Sequence, residues 1–332
     1  MGVLDNGKKE EEKDFVLVLD LMNNQMEIVA CTDKSFIMPT GVMMKSVCLN
    51  NKDSIINFHI VCDDSIKEKD KEDLKSVIQC SYSNIFFYFI NGIEFDDMPA
   101  LDNAPVTKAA YYRLELAELL PESIDKVLYL DGDIIVRRSI NDLWNTDISN
   151  YALAAVPDNN IGLDLRSGYF NSGVMLINLK YWREHNLREE YYRFIKNHPD
   201  RIRFWDQDVL NYVLKDQKLL LPVKYNLASG WLWRVPGTSV EAFRDQIDEA
   251  IKDPVIVHFT TSNKPWMTIC RHPYRKIFLK YKSQTLWKDT PLQENRPLKL
   301  RIIKFLSGIL RKYKLMPESY GKEFLPNLKT LE

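Results

Sequence analysis

The stretch KVLYLDGDIIV, residues Lys126 to Val136, contains an apolar run that ends in two aspartates separated by one glycine. A short apolar run of this kind predicts a buried β-strand, so Asp131 and Asp133 would lie where that strand leaves the sheet. Side chains two positions apart in an extended segment point the same way. Both carboxylates could therefore hold one hard divalent cation through oxygen. The alternative is a solvated strand end or a helix cap, because a second copy, Asp206-Gln207-Asp208, shows how readily the pattern arises.

The composition is that of a globular protein with a large core and a balanced charge. The chain has 332 residues, of which 45% are hydrophobic, and its formal net charge is −1. This balance argues against a general nucleic-acid binder, although a neutral total can hide a local basic patch. The five cysteines form no C-x-x-C pair, which favours a reducing compartment and makes a zinc site unexpected. We find no secretory signal and no spanning segment, and therefore expect a cytoplasmic protein.

Short β-rich runs alternate with helical patterns, which predicts an α/β sheet flanked by helices. Helical patterns lie near 40–50, 65–80, 107–120, 180–197 and 206–214. The predicted strands are Glu27–Cys31, Asn57–Cys62, Ile85–Ile90, Lys126–Leu130, Ala152–Val156, Val174–Leu179 and Pro254–Phe259. Ligands of such sheets collect at the carboxyl ends of strands. The absence of G-x-G-x-x-G and Walker sequences disfavours a dinucleotide or a nucleoside triphosphate.

The chain is expected to contain three regions: an N-terminal extension (1–25), a catalytic domain (26–285) and a tail (286–332). Within the tail, residues 296–315 hold seven Lys and Arg residues, no acid, and apolar residues at helical spacing. A basic amphipathic helix suits an anionic membrane surface, which predicts peripheral contact with the inner face of the cytoplasmic membrane. The alternatives are a helix packed on the catalytic domain and a basic face for a partner.

The chain resembles glycosyltransferase family 8 from about residue 26 to residue 270. Five motifs stand in the family's order: EIVACTDKSF (27–36), YYRLELAELLPESIDKVLYLDGDIIV (111–136), YFNSGVMLINL (169–179), WDQDVLNYVL (205–214) and HFTTSNKPW (258–266). The DQD-x-LN form and the basic tail resemble the bacterial lipopolysaccharide galactosyl- and glucosyltransferases more than the glycogenin branch. The resemblance implies the GT-A fold, a Rossmann-like mixed sheet flanked by helices, followed here by the basic helical tail.

The resemblance also implies an activity: retaining, metal-dependent transfer of glucose or galactose from a UDP-sugar to a glycan or lipid-linked oligosaccharide acceptor. Such a transfer would belong to the synthesis of lipopolysaccharide or another cell-surface polysaccharide. Two other interpretations remain, a glycogenin-like self-glucosylating protein and a non-catalytic UDP-sugar-binding protein.

The resemblance implies a metal site made by Asp131, Asp133 and His258. Mixed oxygen and imidazole ligands favour Mn²⁺, with Mg²⁺ as the alternative ion. A buried structural histidine is the alternative for His258. Lys264 would oppose the charge that builds on the departing diphosphate, unless it is a surface lysine. Thr261 stands where the family usually has glycine, which weakens the expectation of a backbone contact with the phosphate there.

Donor contacts are implied for residues of the first two motifs and the segment between them. Asp33 would accept hydrogen bonds from uracil or ribose, with helix capping as the alternative. Phe36 would stack on the uracil. Arg113 would lie near the donor sugar, with an ion pair to Glu115 or Glu118 as the alternative. The remaining implied contacts with the nucleotide are those of Val106 and Gly132.

The sugar pocket is implied to contain carboxylates and neutral amides. A carboxylate or amide beneath the anomeric carbon can stabilise its developing positive charge. A same-face attack near Gln207 and a double displacement through Asp208 are both open. Asp206 would line the pocket or cap the following helix, and Trp231 and Trp233 would stack on a sugar or belong to the core. The residues expected to act on the sugar are Asp158, Asn171, Gln207 and Asp208.

Overall fold

The computed structural model describes residues 24–79, 82–95, 98–99, 108–159, 168–232, 243–260 and 262–295. These residues form two compact units, which meet in the sequence between residues 260 and 261. The domain boundary near residue 285 stays a prediction. The basic segment 296–315 and residues 1–23 lie outside the described residues. Among the residues described, no helix is long and apolar enough to cross a membrane.

A seven-stranded mixed sheet forms the centre of the first unit. Its strands are β1 (Gln25–Thr32), β2 (Ile55–Cys62), β3 (Ser83–Phe89), β4 (Lys126–Leu130), β6 (Leu153–Pro157), β7 (Phe170–Asn178) and β8 (Lys218–Leu220). The spatial order is β3-β2-β1-β4-β7-β6-β8. Strands β3, β2, β1 and β4 pair in parallel, whereas β7 is antiparallel to both β4 and β6.

Helices and 3₁₀ turns connect the strands. The α-helices are α1 (Ile37–Asn50), α2 (Glu68–Ile78), α3 (Leu116–Leu119), α4 (Asn141–Trp144), α5 (Leu179–Glu184), α6 (Leu187–Asn197), α7 (Trp205–Val213), α8 (Ser229–Leu232), α9 (Arg244–Lys252) and α10 (Arg275–Lys282). The 3₁₀ helices are Lys34–Phe36, Gly92–Phe95, Lys108–Glu115, Pro199–Arg201 and Val223–Tyr225.

A three-stranded sheet brings the histidine to the two aspartates. It consists of β5 (Ile134–Val136), β9 (Leu227–Ala228) and the central β10 (Ile256–His258). Strand β5 begins directly after Asp133, and its first residue, Ile134, pairs with His258. The pairing therefore places His258 beside the DGD sequence.

The order of the parallel strands creates a crevice at one edge of the large sheet. Strand β1 pairs in parallel with both β2 and β4, so the chain first proceeds to one side of β1 and later returns to the other. Ligands of doubly wound sheets bind at such a reversal, beyond the carboxyl ends of the strands. Asp33 follows β1 and Asp131 follows β4, so both acids lie at this crevice.

Candidate active site

Asp131, Asp133 and His258 converge as the sequence predicts. The Nε2 atom of His258 lies 3.2 Å from Oδ1 of Asp133 and 3.6 Å from Oδ2 of Asp131. One ligand atom from each residue lies within 4.8 Å of the other two. His258 and Asp133 are buried, whereas Asp131 is half-buried.

This donor set fits a divalent cation. Adjacent oxygen ligands of a small octahedral cation lie about 3 Å apart, since each lies about 2.1 Å from the ion. The distances from Nε2 to the two carboxylates are close to that separation. Two carboxylates and one imidazole suit Mn²⁺ and the neighbouring first-row metals, while Mg²⁺ prefers oxygen ligands.

The backbone of Gly173 lies against this cluster and leaves no room for a side chain. A Cβ atom at Gly173 would lie 2.2 Å from Cε1 of His258 and 2.6 Å from Oδ2 of Asp131. The carbonyl of Gly173 also accepts a hydrogen bond from the N–H of Asp131 at 2.9 Å. Only glycine at this position therefore allows His258 and Asp131 to lie where they do.

Arg113 forms ion pairs with two carboxylates, those of Asp131 and Asp206. Its Nη2 donates to Asp131 at 3.0 Å, and its Nε lies 3.1 Å from Oδ2 of Asp206. Burial opposes the charge of the guanidinium, but Asp206, Asp131 and the neighbouring Tyr129 raise its pKa above the usual value. Neither alternative pairing is observed among the described residues: Glu115 accepts from Arg188 at 2.6 Å and from Tyr192, and Glu118 is exposed whereas Arg113 is buried.

Asp206 is a buried acid rather than a solvated helix cap. Burial raises its pKa to about 6, Arg113 opposes the rise, and the charge of Asp131 adds to it. The charge of Asp206 therefore offsets that of Arg113, whose Nε donates to the carbonyl of Ala110 at 3.0 Å and whose Nη1 donates to the carbonyl and the hydroxyl of Ser172.

The predicted sugar-pocket residues form one buried hydrogen-bond network. The amide of Gln207 donates to Asp158 at 2.9 Å, and Asn171 donates to Oε1 of Gln207 at 3.1 Å. Burial raises the pKa of the Asp158 carboxyl, while the hydrogen bonds from Gln207 and Asn171 partly offset that rise. The structure thus brings Asp158, Asn171 and Gln207 together as one carboxylate and two amides joined by hydrogen bonds.

Asp208 belongs to the same network, but its oxygens are occupied. Oδ2 accepts from the N–H groups of Arg203 and Phe204 at 2.6 and 2.7 Å, and Oδ1 accepts from the hydroxyl of Tyr169 at 2.6 Å. Asp208 therefore fastens the start of α7. That start is strained, since Trp205 has a φ of 47°, a region that non-glycine residues rarely adopt.

Asp33, Phe36 and Gly132 lie at the crevice beyond β1 and β4. Oδ1 of Asp33 accepts from the N–H of Ser35 at 2.8 Å, so this acid caps the 3₁₀ turn Lys34–Phe36, as the alternative interpretation has it. A Cβ at Gly132 would lie 2.7 Å from Oγ1 of Thr40 and 3.3 Å from the Phe36 ring. The glycine between the two aspartates therefore allows α1 to approach the DGD backbone closely.

The remaining residues for which a role is predicted are Lys264, Val106, Trp233, Thr261 and Trp231. Lys264 is a half-buried residue of the second unit, and its role stays a prediction. Val106, Trp233 and Thr261 lie outside the described residues. Trp231 is fully buried and donates to the carbonyl of Pro157 at 2.9 Å, so it belongs to the core.

Three residues that the motifs did not single out contact the site. The hydroxyl of Tyr129 donates to Asp131 at 2.9 Å, Gly173 packs beneath the cluster, and Asn226 joins His258 to Asn171. Tyr129 and Gly173 lie inside quoted motifs, where the alternation of a strand indicates which side chains share a face. Asn226 follows a 3₁₀ turn and carries no sequence signal of this kind.

The comparisons with known proteins agree with this geometry. The model of the family described as "Glycosyl transferase family 8" matches residues 27–270. General stress protein A of Bacillus subtilis (strain 168) is 32% identical over 273 residues, which is 79% of this chain and 94% of that protein. The lipopolysaccharide 1,3-galactosyltransferase of Salmonella typhimurium is 28% identical, with 78% of each chain covered.

A crystal structure of the galactosyltransferase LgtC in complex with donor and acceptor sugar analogs superposes on this chain with a TM-score of 0.71. It is 26% identical and covers 83% of this chain and 99% of its own. The predicted GT-A fold of the catalytic region is thereby confirmed. Family 8 enzymes with this fold use a nucleotide-sugar donor and a divalent metal. The family match extends over most of the chain and includes Asp131, Asp133 and His258. The protein therefore belongs to glycosyltransferase family 8.

Proposed function

We propose that the protein is a retaining hexosyltransferase that moves glucose or galactose from a UDP-sugar to a glycan acceptor and uses Mn²⁺. The observation that carries the proposal is the convergence of the Asp131–Asp133–His258 cluster with the Asp158–Asn171–Gln207 network. The bridge between them, through Asn226, consists of hydrogen bonds of 3.1, 2.9 and 3.1 Å. A charged diphosphate and a neutral sugar need these two kinds of site side by side.

The bound cation would neutralise the charge that develops on the departing UDP. Arg113 donates to Asp131 and would fix its orientation, and the charge of Asp206 offsets that of Arg113. Asp158 and Gln207 offer acceptors and donors to the hydroxyl groups of a hexose, which suits a neutral sugar more than an anionic one. Asp33 and Phe36 would select the uracil and ribose of the donor.

The transfer breaks the bond from the anomeric carbon to the β-phosphate oxygen and forms a bond from that carbon to the acceptor oxygen. The acceptor proton passes to the departing phosphate oxygen. We favour attack from the same face with Gln207 next to the anomeric carbon, because Asp208 is already bound to two backbone N–H groups and to Tyr169. A nucleophilic Asp208 would have to give up those hydrogen bonds.

The acceptor class is proposed from the relatives. Besides the galactosyltransferase of Salmonella typhimurium, they include the "Lipopolysaccharide glucosyltransferase WaaO" of Escherichia coli (strain K12), 28% identical with 84% of each chain covered. We propose that this chain acts in the synthesis of a cell-surface polysaccharide, on a lipid-linked or other glycan acceptor. We also propose a cytoplasmic location with peripheral contact at the membrane.

A donor screen tests the proposal. Purified protein is incubated with UDP-glucose, UDP-galactose and UDP-N-acetylhexosamines in the presence of Mn²⁺, and the release of UDP is measured with and without chelator. We expect release from a UDP-hexose that stops when the metal is removed. Release of no UDP from any donor, or undiminished release in excess chelator, would contradict the proposal. Covalent hexose on the protein itself would favour self-glucosylation instead.

A further inference from the structure

The orientation of His258 is set by a chain of buried groups that begins at the backbone. The N–H of Gly173 lies 3.1 Å from one end of the Asn171 amide. A backbone N–H can only donate, so this end of the side chain must be the carbonyl oxygen Oδ1. The identification of the oxygen end of the Asn171 amide therefore does not depend on the metal or on the histidine.

A second backbone N–H group independently identifies the two ends of the Asn171 amide. The N–H of Ser172 lies 3.1 Å from one end of the Gln207 amide, which must then be Oε1. The other end of Asn171 lies 3.1 Å from this oxygen and must therefore be the NH₂ group. Two independent backbone donors thus fix the orientation of the amide of Asn171.

The orientation of the Asn171 amide in turn determines the orientation of the Asn226 amide and the tautomer of His258. Asn226 is fully buried, and its amide lies 2.9 Å from Oδ1 of Asn171 at one end. That end must be NH₂, which leaves the carbonyl oxygen of Asn226 facing Nδ1 of His258 at 3.1 Å. A carbonyl oxygen only accepts, so a neutral His258 carries its proton on Nδ1 and its lone pair on Nε2.

Nε2 is the atom that faces the two aspartates. It lies 3.2 Å from Asp133 and 3.6 Å from Asp131, and a metal ion binds the nitrogen that carries the lone pair. We propose that Asn226 is a positioning residue that holds His258 in the Nδ1–H tautomer for metal binding and links it, through Asn171, to Gln207. The inference rests on the proposed function, in which these residues hold the metal and the sugar.

Two substitutions separate the two hydrogen bonds of Asn226. Asn226→Leu removes both, and outer hydrogen bonds of this kind typically contribute about 10- to 100-fold to metal affinity. Asn226→Asp keeps an acceptor for Nδ1–H but replaces the donor that faces Asn171. We therefore expect Asn226→Leu to weaken Mn²⁺ binding by about 10- to 100-fold. We expect Asn226→Asp to keep most of the affinity while losing turnover.

Asn51→Leu is the matched control. Asn51 is also buried and makes two hydrogen bonds of 2.9 Å, to the carbonyl of Val47 and from the N–H of Ile140, away from the metal cluster. The Asn51→Leu substitution should lower the melting temperature in the same way as Asn226→Leu but leave the Mn²⁺ dissociation constant unchanged. Mn²⁺ binding is measured on the full chain by electron paramagnetic resonance of the free ion.

A long-range ¹H–¹⁵N spectrum of the metal-free protein reads the tautomer directly. His258 is one of five histidines, and its signal is assigned by its loss in His258→Gln. At about pH 8, where an ordinary histidine is neutral, wild type should show the Nδ1–H form and Asn226→Leu a mixture. An Nε2–H form in wild type would overturn the inference, whether or not Asn226→Leu folds.

The binding data separate this inference from the proposed function. Unchanged Mn²⁺ affinity in Asn226→Leu, with normal binding by wild type, would overturn the inference alone. If wild type binds no Mn²⁺, the metal in the proposed function is wrong, while the spectrum still decides the tautomer.

Discussion

At the scale of single residues, the two aspartates of the DGD sequence have different neighbours. Asp131 accepts hydrogen bonds from Arg113 and Tyr129 as well as facing the metal position. Removing its charge leaves a buried guanidinium with one carboxylate partner, Asp206, instead of two. Loss of a partner from a buried ion pair is costly, about 3–5 kcal/mol where no second partner remains. Asp131 is therefore expected to contribute to stability as well as to the proposed metal binding.

We predict that Asp131→Asn and Asp133→Asn both reduce transfer by at least about 100-fold, since each weakens the hold on the cation that stabilises the leaving group. Asp131→Asn should in addition lower the melting temperature. Initial rates and thermal unfolding are measured for both variants, with the exposed Asp216→Asn as the control. Near-wild-type turnover in either site variant would contradict the metal assignment.

A second residue-scale prediction concerns Gly173. Gly173→Ala would place a methyl group 2.2 Å from His258 and 2.6 Å from Asp131, so one of these ligands must move. We expect Mn²⁺ affinity to fall by about 10-fold or more, because metal ligands tolerate little displacement. In the control Gly92→Ala, the nearest atom to the added carbon is the Tyr112 hydroxyl at 3.2 Å. Equal Mn²⁺ affinity in both variants would show that the cluster adapts to the extra methyl.

The three proposed metal ligands could be named from the motifs, but the residues that orient them could not. Asp131 follows β4, Asp133 precedes β5 and His258 ends β10, and all three lie within the family motifs, so the resemblance already implies that they act together. The role of Asn226 depends on groups 32 and 55 residues away in the chain. Hydrogen bonds over such separations leave no periodicity in the sequence, so only the fold reveals them.

At the scale of secondary structure, the predicted elements are present, but one helix differs in type and several elements differ in their limits. The pattern at 107–120 is mostly a 3₁₀ helix, Lys108–Glu115, and the pattern at 180–197 is interrupted at Asn186, whose φ is 47°. Apolar spacing does not distinguish a 3₁₀ helix from an α-helix over eight residues. Strands β5, β8 and β9 are three residues or shorter, too short to show an alternating pattern.

Strands β1, β2 and β3 share a row of polar side chains on one face of the sheet. Glu27 accepts from Asn57 at 2.9 Å, and its other carboxylate oxygen lies 2.7 Å from Nε2 of His59. Burial acts to raise the pKa of Glu27, but the hydrogen bonds from His59, Gln25 and Asn57 outweigh it and hold that pKa below its usual value.

This row yields a pH-dependent prediction. A carboxyl with a lowered pKa in the folded state stabilises the fold above its unfolded pKa and loses that contribution as the pH falls through the folded pKa. Glu27→Gln should therefore reduce the free energy of unfolding by about 1–2 kcal/mol at neutral pH. The difference from wild type should narrow below about pH 4. Urea denaturation over this range measures it, with the exposed Glu122→Gln as the control, and a difference that stays constant with pH would refute it.

At the scale of the whole molecule, the proposed lipid-linked acceptor would require the protein to reach a membrane surface. No described helix could span a membrane. Residues 296–315 contain seven basic residues and apolar residues at helical spacing. Each basic residue near an anionic surface contributes about 1 kcal/mol, and each buried large apolar side chain adds roughly 1.5–3 kcal/mol before ordering costs. Reversible peripheral binding is therefore expected of this segment.

The second unit determines where the tail can be removed. The side-chain carbonyl of Asn295 accepts from the N–H of Ile269 at 2.8 Å, and the carbonyl of Gln293 accepts from the N–H of Thr268 at 2.8 Å. The N–H of Gln293 also donates to the carbonyl of Trp266 at 2.9 Å. A truncation before residue 293 would remove these bonds and confuse loss of the tail with loss of folding. The chain should therefore end after Asn295.

We predict that truncation after Asn295 abolishes binding to anionic vesicles and leaves hydrolysis of the UDP-sugar largely intact. Two full-length variants separate the contributions, one with basic residues replaced by Gln and one with apolar residues replaced by Ser. High salt should release only part of the wild type, because salt screens the charges but not the apolar contribution. It should release a larger share of the apolar-to-Ser variant, which keeps its charges but has lost four large apolar side chains. If truncated and full-length protein sediment with the vesicles equally, the tail is a structural helix or a partner surface, and the membrane interpretation is wrong. The residues replaced are Arg301, Lys304, Arg311 and Lys312 in the first variant, and Ile303, Leu306, Ile309 and Leu310 in the second.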